Sequence, residues 1–250
     1  MSVRKKIVIV GATSAIASHT ARIWAQQGQT DFVLLGRETE RLNRVEADLK
    51  ARGSDNQTQV AVASFTDPIA IQMLAKEIAS TGAIDIVLIA HGSLSDQQRS
   101  QNDLQYCQDE LLTNGVSAVL FAEAFVATLE SAGRGTLAVI GSVAGDRGRK
   151  SNYVYGAAKG LVTRYLQGLA HRFAGTAIKI VLIKPGPTET PMTAALVASG
   201  TKMASVESVA QGIVEAIERG CPEAYVPGKW WLIMMIIRHL PRFVFNKLNI

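Results

Sequence analysis

Three side chains in this sequence have types and spacing suited to moving a proton at a carbonyl group. Tyr155 and Lys159 stand four positions apart in Tyr155-Gly156-Ala157-Ala158-Lys159. On a helix that spacing puts both on one face, one turn apart. An ammonium beside a phenol favours the phenolate and lowers its pKa from about 10. A tyrosine so placed can act as an acid or base near neutral pH. Ser142 lies thirteen positions earlier, at the end of an apolar, β-rich run. From a strand end its hydroxyl can bond a substrate carbonyl oxygen and stabilise the negative charge that develops there. A Tyr-x-x-x-Lys pair alone is common on solvated helices, so the elements that position it must support the assignment.

Those elements alternate. Apolar runs predict strands at Lys6–Val10, Phe32–Leu35, Gln59–Ala63, Ile84–Ala90, Thr136–Gly141 and Lys179–Ile183, with a short seventh at Ala224–Val226. Several are continuously apolar, as parallel strands covered on both faces are. Helical patterns fall between them at Ile16–Gln27, Thr39–Arg52, Ile69–Ser80, Asp103–Leu129 and Tyr155–Phe173. Repeated strand–helix units imply an α/β fold: a doubly wound, mostly parallel sheet with helices on both faces. In such sheets ligands bind beyond the carboxyl ends of the strands, near the topological switch point. One Rossmann-like domain is expected over residues 1–228. A hydrophobic, basic tail, 229–250, is expected to pack on it or extend from it.

The first strand runs into Gly11-Ala12-Thr13-Ser14-Ala15-Ile16-Ala17. A small-residue turn lets backbone amides approach a pyrophosphate, and the following helix adds its positive end. At the end of strand two an acidic side chain would read a ribose hydroxyl, whereas an arginine accommodates a 2′-phosphate. Gly36-Arg37 offers no acid there. Arg37 can pair with phosphate and stack on adenine, so NADP(H) is expected rather than NAD(H).

With these motifs in place the sequence resembles the short-chain dehydrogenase/reductase family over nearly its whole length. The resemblance rests on Gly11–Ala17, Asn114, Ser142, Tyr155, Lys159 and Pro185-Gly186-Pro187-Thr188-Glu189-Thr190. It implies that Asn114 completes a catalytic tetrad by holding a water that relays protons to Lys159. It implies that Tyr155 and Lys159 also contact the nicotinamide ribose. It places Gly11, Thr13, Ser14, Ile16, Ala90, Pro185, Gly186, Thr188 and Thr190 around the cofactor, with Pro185-Gly186 and Thr188 positioning the carboxamide and Thr190 near the phosphates. Three departures stand out. Ala15 and Ala17 occupy positions usually held by glycine. Ile89-Ala90-His91-Gly92 replaces Asn-Asn-Ala-Gly, so a polar tie is lost. Ser64 stands where the family often has an aspartate. His91 beside the cofactor strand reads as a packing residue rather than an acid–base.

The formal charge of +5 is concentrated in the tail, where Lys229–Ile250 carries four Lys or Arg and no acid. The remainder is nearly neutral, so no nucleic-acid groove is expected. Apolar residues make up 48% and charged residues 19%, too apolar a balance for a disordered chain. Cys107 and Cys221 read as free thiols in a reducing compartment, without metal-ligand spacing. Arg4-Lys5-Lys6 before an apolar run mimics a signal peptide, but cleavage near Ala17 would remove the first strand and its turn. A cytoplasmic enzyme is expected, and no run of 18 apolar residues predicts a spanning helix.

In the tail, Trp230 to Ile237 would form about 12 Å of helix before Pro241, against a bilayer core of about 30 Å. Paired tryptophans flanked by basic residues suit an interfacial anchor at the inner membrane face. A subunit interface in a homo-oligomer, or a roof over the substrate pocket, is the alternative. This tail and the segment Gly145–Tyr155, with Arg147, Arg149 and Lys150, narrow the resemblance. They are similar to the corresponding parts of reductases acting on a decaprenylphosphoryl 2-keto-pentose in cell-wall arabinose synthesis. That resemblance implies a lipid-linked ketone whose phosphate meets the three basic residues; a solvated loop is the other reading. Reduction of a small soluble carbonyl compound, or cofactor binding without turnover, are the competing functions.

Overall fold

The computed structural model describes residues 4–53, 55–193 and 202–248. Seven strands form one sheet: β1 (Lys5–Val10), β2 (Thr30–Gly36), β3 (Gln57–Val62), β4 (Ile86–Ile89), β5 (Gly135–Ile140), β6 (Ile178–Pro185) and β7 (Glu223–Val226). Their order is β3-β2-β1-β4-β5-β6-β7, and every pairing is parallel. The order reverses between β1 and β4, which opens a crevice at their carboxyl ends. The doubly wound fold expected from the alternation is the one observed.

The inner strands are mostly apolar because both of their faces are covered, whereas the edge strand β3 starts with polar residues and is partly exposed. In β1, Val8 and Val10 point to one face and meet Phe121, Phe125 and Leu129. Ile7 and Ile9 point to the other and meet Ala21 and Trp24. The first face is covered by α3 (Pro68–Ser80), α6 (Ser117–Ala132) and α7 (Tyr153–Arg172). The second is covered by α1 (Ala15–Gln27), α2 (Thr39–Arg52) and α8 (Val206–Arg219). The sequence patterns do not include α8. Its signals are local: the Ser205 hydroxyl accepts from the Ser208 amide at 3.2 Å, and Gly220 ends the helix in the left-handed region.

The helix predicted over Asp103–Leu129 is built in parts. A short α4 (Gln97–Asn102) precedes α5 (Leu104–Leu111), a π turn spans Leu112–Val116, and α6 (Ser117–Ala132) follows. Leu104–Ala132 is long and apolar enough to cross a membrane by length and composition. The absence of an 18-residue apolar run therefore did not exclude such a helix. In this fold Phe121, Phe125, Val126 and Leu129 bury its apolar face completely against the sheet.

Beyond β7 the chain forms α9 (Lys229–His239) and α10 (Arg242–Phe245), with Pro241 between them. Leu240 ends α9 through backbone bonds to Ile236 and Ile237. Both cysteines are free thiols.

A buried charge cluster ties the loop after β5 to β6 and β7. Lys184 is 1% exposed, and its ammonium donates to Asp146 at 2.6 Å and Glu223 at 2.7 Å. Tyr225 donates to the second Asp146 oxygen at 2.6 Å. Removing one member of a buried ion pair leaves an uncompensated charge and costs about 3–5 kcal/mol. Lys184→Met is expected to lower stability by about 3 kcal/mol, the low end because Glu223 keeps partial solvent access. Urea unfolding followed by circular dichroism measures it; a change within error would mean that water already screens the cluster.

Candidate active site

A cleft of about 240 Å³ opens at the carboxyl ends of the strands. Ser142, Tyr155 and Lys159 all line it. Ser142 follows β5, and its Oγ accepts from the Ala144 amide at 3.1 Å. That bond uses its acceptor side and leaves the O–H free to donate. Lys159 lies one turn beyond Tyr155 on α7, as the spacing requires. It is 3% exposed and its ammonium donates to the Ile140 carbonyl at 3.0 Å.

The electrostatics differ from the simple pair expected from spacing. Burial lowers the pKa of Lys159 to about 8. Burial raises that of Tyr155, and Ser142 opposes the rise as a hydrogen-bond partner. The expectation that Lys159 draws the phenol below 10 is therefore corrected for the protein alone. The ammonium sits 5.9 Å from the centre of the Tyr155 ring and spends a bond on Ile140. Desolvation wins at that separation.

Asn114 does not line the cleft. It is fully buried within the π turn, behind Gly92. Its Oδ1 accepts from the Ser93 amide at 2.8 Å, and its Nδ2 donates to Glu110 at 2.9 Å and Ser93 Oγ at 3.1 Å. Ser93 and Ser95 hydroxyls also donate to Glu110. Sequence reasoning missed this knot of Ser93, Ser95 and Glu110. Glu110 lies one helical turn before Asn114, which was its only signal.

Of the remaining predicted residues, Ser14, Ile16, Ala90, Pro185, Gly186, Thr188 and Thr190 line the cleft. Gly11, Thr13 and Arg37 stand outside its wall. Gly11 has φ +81°, and a Cβ there would fall 2.7 Å from His91. Glycine is thus needed for the turn to pass the β4 loop. The Gly11 and Ala12 amides are held by the Leu35 carbonyl. The Ser14 side chain makes no capping bond to α1, so first-turn amides of that helix stay available to an anion. Arg37 is exposed just past β2, with no hydrogen-bond or ion-pair partner given among the described residues. An uncapped helix end, a free arginine at the strand-two tip and a buried ammonium make a donor set that fits a phosphorylated dinucleotide.

The sequence departures have physical substitutes. His91 packs edge-on against Phe65 at 4.8 Å between ring centres and is bonded through Nε2 to Ser117 at 2.9 Å. Burial and the nearby charges of Lys159 and Arg37 lower its pKa to about 3, so it remains a neutral packing residue. Ser64 accepts from the Asp67 amide at 3.2 Å.

The basic segment after Ser142 is divided in its duties. Arg147 was expected to meet a substrate phosphate, but its guanidinium donates to the carbonyls of Ile237 and of Leu240, the latter at 2.8 Å. It also stacks on Phe245 at 3.7 Å. Carbonyls at the carboxyl end of α9 are the acceptors that claim it. Lys150 is exposed, and only Arg149 lines the cleft. The tail supplies a wall that spacing did not reveal: Trp230 faces the cleft. A Cβ at Gly186 would fall on its indole.

The sequence model of the family described as short chain dehydrogenase matches residues 5–200. The chain belongs to this family of oxidoreductases. An uncharacterized oxidoreductase of Streptomyces coelicolor is 30% identical over 244 residues, covering 98% of this chain and 96% of that protein. The fold is shared with a short-chain type dehydrogenase/reductase from Mycobacterium ulcerans, with TM-score 0.82, 17% identity and 98% of each chain covered. It is also shared with a short-chain dehydrogenase from Sphingobium yanoikuyae in complex with NADPH, with TM-score 0.79, 19% identity and coverage of 98% and 96%.

The depressed pKa of His91 has a consequence for stability. Unfolded His91 takes up a proton near pH 6.5, whereas the folded one waits until about pH 3. Between those values the unfolded state binds more protons, so this residue's contribution to stability falls as pH falls. The stability gap between the protein and His91→Ala is expected to shrink steadily from pH 6.5 to 4. Parallel denaturation curves, with an imidazole NMR signal that does not titrate above pH 4, check it; a constant gap would contradict the assignment.

Proposed function

We propose that this oxidoreductase uses NADP(H) to reduce a ketone, with Ser142, Tyr155 and Lys159 as its catalytic residues. The observation that carries this reading is the meeting of those three side chains in one cleft with the uncapped start of α1. A bound dihydronicotinamide supplies a hydride to the carbonyl carbon. The Ser142 O–H donates to the carbonyl oxygen and holds it. Tyr155 passes its proton to that oxygen, which completes the alcohol. The raised pKa of Tyr155 keeps the phenol protonated before reaction, as a proton donor requires. Lys159 remains cationic below about pH 8 and stabilises the phenolate left behind. Asn114, fixed by Ser93 and Glu110, is assigned the water that returns a proton towards Lys159. Gly11, Thr13, Ser14 and Ile16 are assigned to the pyrophosphate, Ala90 and the Pro185–Thr190 segment to the nicotinamide end, and Arg37 to the 2′-phosphate.

The finer reading is that the ketone belongs to a keto-sugar on a polyprenyl phosphate, reduced at the cytoplasmic membrane surface. Trp231, Leu232, Met235, Ile236 and Phe243 are exposed, and the tail carries basic charge without acid. That combination suits an anionic lipid surface. Reduction of a small soluble carbonyl compound by a homo-oligomer is the second reading. Trp230 favours it, because a tail that walls the cleft needs no membrane to account for it.

Tyr155→Phe is expected to abolish NADPH consumption with a ketone while leaving NADPH affinity intact. Arg37→Ala is expected to weaken NADPH binding about ten- to a hundredfold and leave NADH binding unchanged. Titration of both variants with both cofactors, beside turnover assays, tests the pair. Turnover by Tyr155→Phe, or equal wild-type affinity for the two cofactors, would overturn the corresponding part.

The membrane reading is tested on exposed residues of α9 and α10, so that Trp230 is left in place. The combined Trp231→Ser, Leu232→Ser, Ile236→Ser and Phe243→Ser variant is expected to lose co-sedimentation with phosphatidylglycerol vesicles. Its activity on a short-chain ketone should stay near wild type. Undiminished vesicle binding, or none by the wild type, would leave the soluble-substrate reading standing.

A further inference from the structure

We infer that the ketone carries an anionic group, a carboxylate or a phosphate ester, held by Arg149, and that Asn152 accepts a hydrogen bond from a neighbouring substrate hydroxyl or N–H. The inference rests on the ketone-reductase reading and specifies which ketones the cleft takes.

The first observation is a charge imbalance. Arg149 and Lys159 line the cleft, and none of its described lining residues is Asp or Glu. Lys159 is bonded to Ile140 and, in that reading, its remaining donors serve the catalytic tyrosine and the cofactor ribose. Arg149 makes no ion pair among the described residues, and its Nε is buried without a hydrogen-bond partner. Asp146 is the acid that acts on it electrostatically. Both oxygens of that carboxylate are already taken, one by Lys184 and the other by Tyr225. Residues 194–201, Ala-Ala-Leu-Val-Ala-Ser-Gly-Thr, contain no acid that could serve instead. A guanidinium nitrogen buried without a partner is costly, and a carboxylate or phosphate can pair with Nε and a terminal nitrogen together.

The second observation comes from the start of α7. Asn152 occupies the N-cap position, where an asparagine normally accepts from a first-turn amide. Here it makes no such bond. The Val154 amide is taken by Gln97 of α4 instead, at 3.0 Å. The Asn152 side chain is thereby released from capping, and its Oδ1 is buried without a donor while the residue lines the cleft. Two unpartnered polar groups of opposite need, a donor and an acceptor, therefore stand on the loop between Ser142 and Tyr155.

The cofactor's own phosphates are not the natural occupant. Their turn follows β1, whereas Arg149 follows β5, with β4 between them. Two strand spacings amount to about 10 Å.

The experiment uses the full chain and four probes: ribulose 5-phosphate, ribulose, 4-oxopentanoate and its methyl ester. A farnesyl phosphodiester of a keto-pentose, in neutral detergent, adds a lipid-borne phosphate. The wild type is expected to show higher kcat/KM on each charged ketone than on its neutral counterpart. Arg149→Ala should lower kcat/KM on the charged ketones about tenfold or more and leave the neutral ones unchanged. Arg149→Lys should recover part of that loss. Asn152→Ala should weaken ribulose 5-phosphate and spare 4-oxopentanoate, which has no hydroxyl. A farnesyl probe preferred over ribulose 5-phosphate names a lipid as the source of the phosphate; the reverse names a free sugar phosphate.

An equal loss on charged and neutral ketones would overturn the assignment by making Arg149 a structural residue. A fall in NADPH affinity in Arg149→Ala would overturn it by placing Arg149 on the cofactor. If the wild type turns over none of the probes, calorimetric titration of the NADP+-saturated protein with ribulose 5-phosphate and 4-oxopentanoate decides. Binding that Arg149→Ala abolishes keeps the subsite and sinks the ketone-reductase reading for these probes. No binding by the wild type sinks the subsite.

Discussion

The ammonium of Lys159 is buried with one acceptor among the described residues, the carbonyl of Ile140. An ammonium has three donors, and taking it out of water costs several kcal/mol unless they are satisfied. The cleft is organised around that shortage. The sheet opens at the carboxyl ends of its strands, so a strand-end carbonyl is available to the ammonium. Gly92 lets the β4 loop pass close to both Lys159 and Asn114, since a Cβ there would lie 3.7 Å from one and 2.8 Å from the other. The π turn then brings Asn114 and Glu110 to the back of that loop. What remains unpaired on Lys159 points the site towards a ligand rich in acceptors, and a hydroxylated, phosphorylated cofactor is one.

Lys184 shows that burial by itself does not mark a functional lysine. It is as inaccessible as Lys159, but two carboxylates close around it. Its cluster neutralises the charge and serves to fix Asp146, and through it the loop that leaves Ser142. Burial lowers Lys159 to about pKa 8, and none of the described residues lining the cleft is a carboxylate that would oppose it. The two residues differ in unsatisfied bonding capacity rather than in depth. A perturbed pKa becomes informative about function when it coincides with an opening and with partners left unmade.

The strands, and the meeting of Ser142, Tyr155 and Lys159 in one cleft, could be read from the sequence because their signals are local and periodic. A strand buried on both faces must be apolar at every position, and Ile7 to Val10 are fully buried. Four positions on α7 suffice to align Tyr155 with Lys159. Other features have no comparable signature. Arg147 contacts carbonyls about ninety positions away, and backbone acceptors leave no mark on residue type. Trp230 and Trp231 look equivalent in a sequence, yet neighbours on a helix point about 100° apart. One therefore enters the cleft and the other faces solvent. The Tyr155 pKa could not follow from spacing, since desolvation depends on everything packed around the ring. Helix α8 differs again: its cap residues Ser205 and Gly220 and its apolar stripe were present, and only the uneven stretch before it obscured them.

The tail brings these constraints together. A helix of eleven residues is too short to span a bilayer, but its circumference is wide enough for two jobs. Trp230 and Met234, one turn apart, form the inward side, and Met234 is completely buried. Trp231, Leu232, Met235 and Ile236 form the outward side. Arg147 grips the end of the helix from the same loop that carries Ser142 and Arg149, so the inward side is registered against the catalytic strand rather than left to drift. Roof and anchor are thus properties of different faces, and the two can be tested apart. Whatever covers the outward face must bind without moving Trp230, because displacing that indole would remove a wall of the cleft beside Gly186.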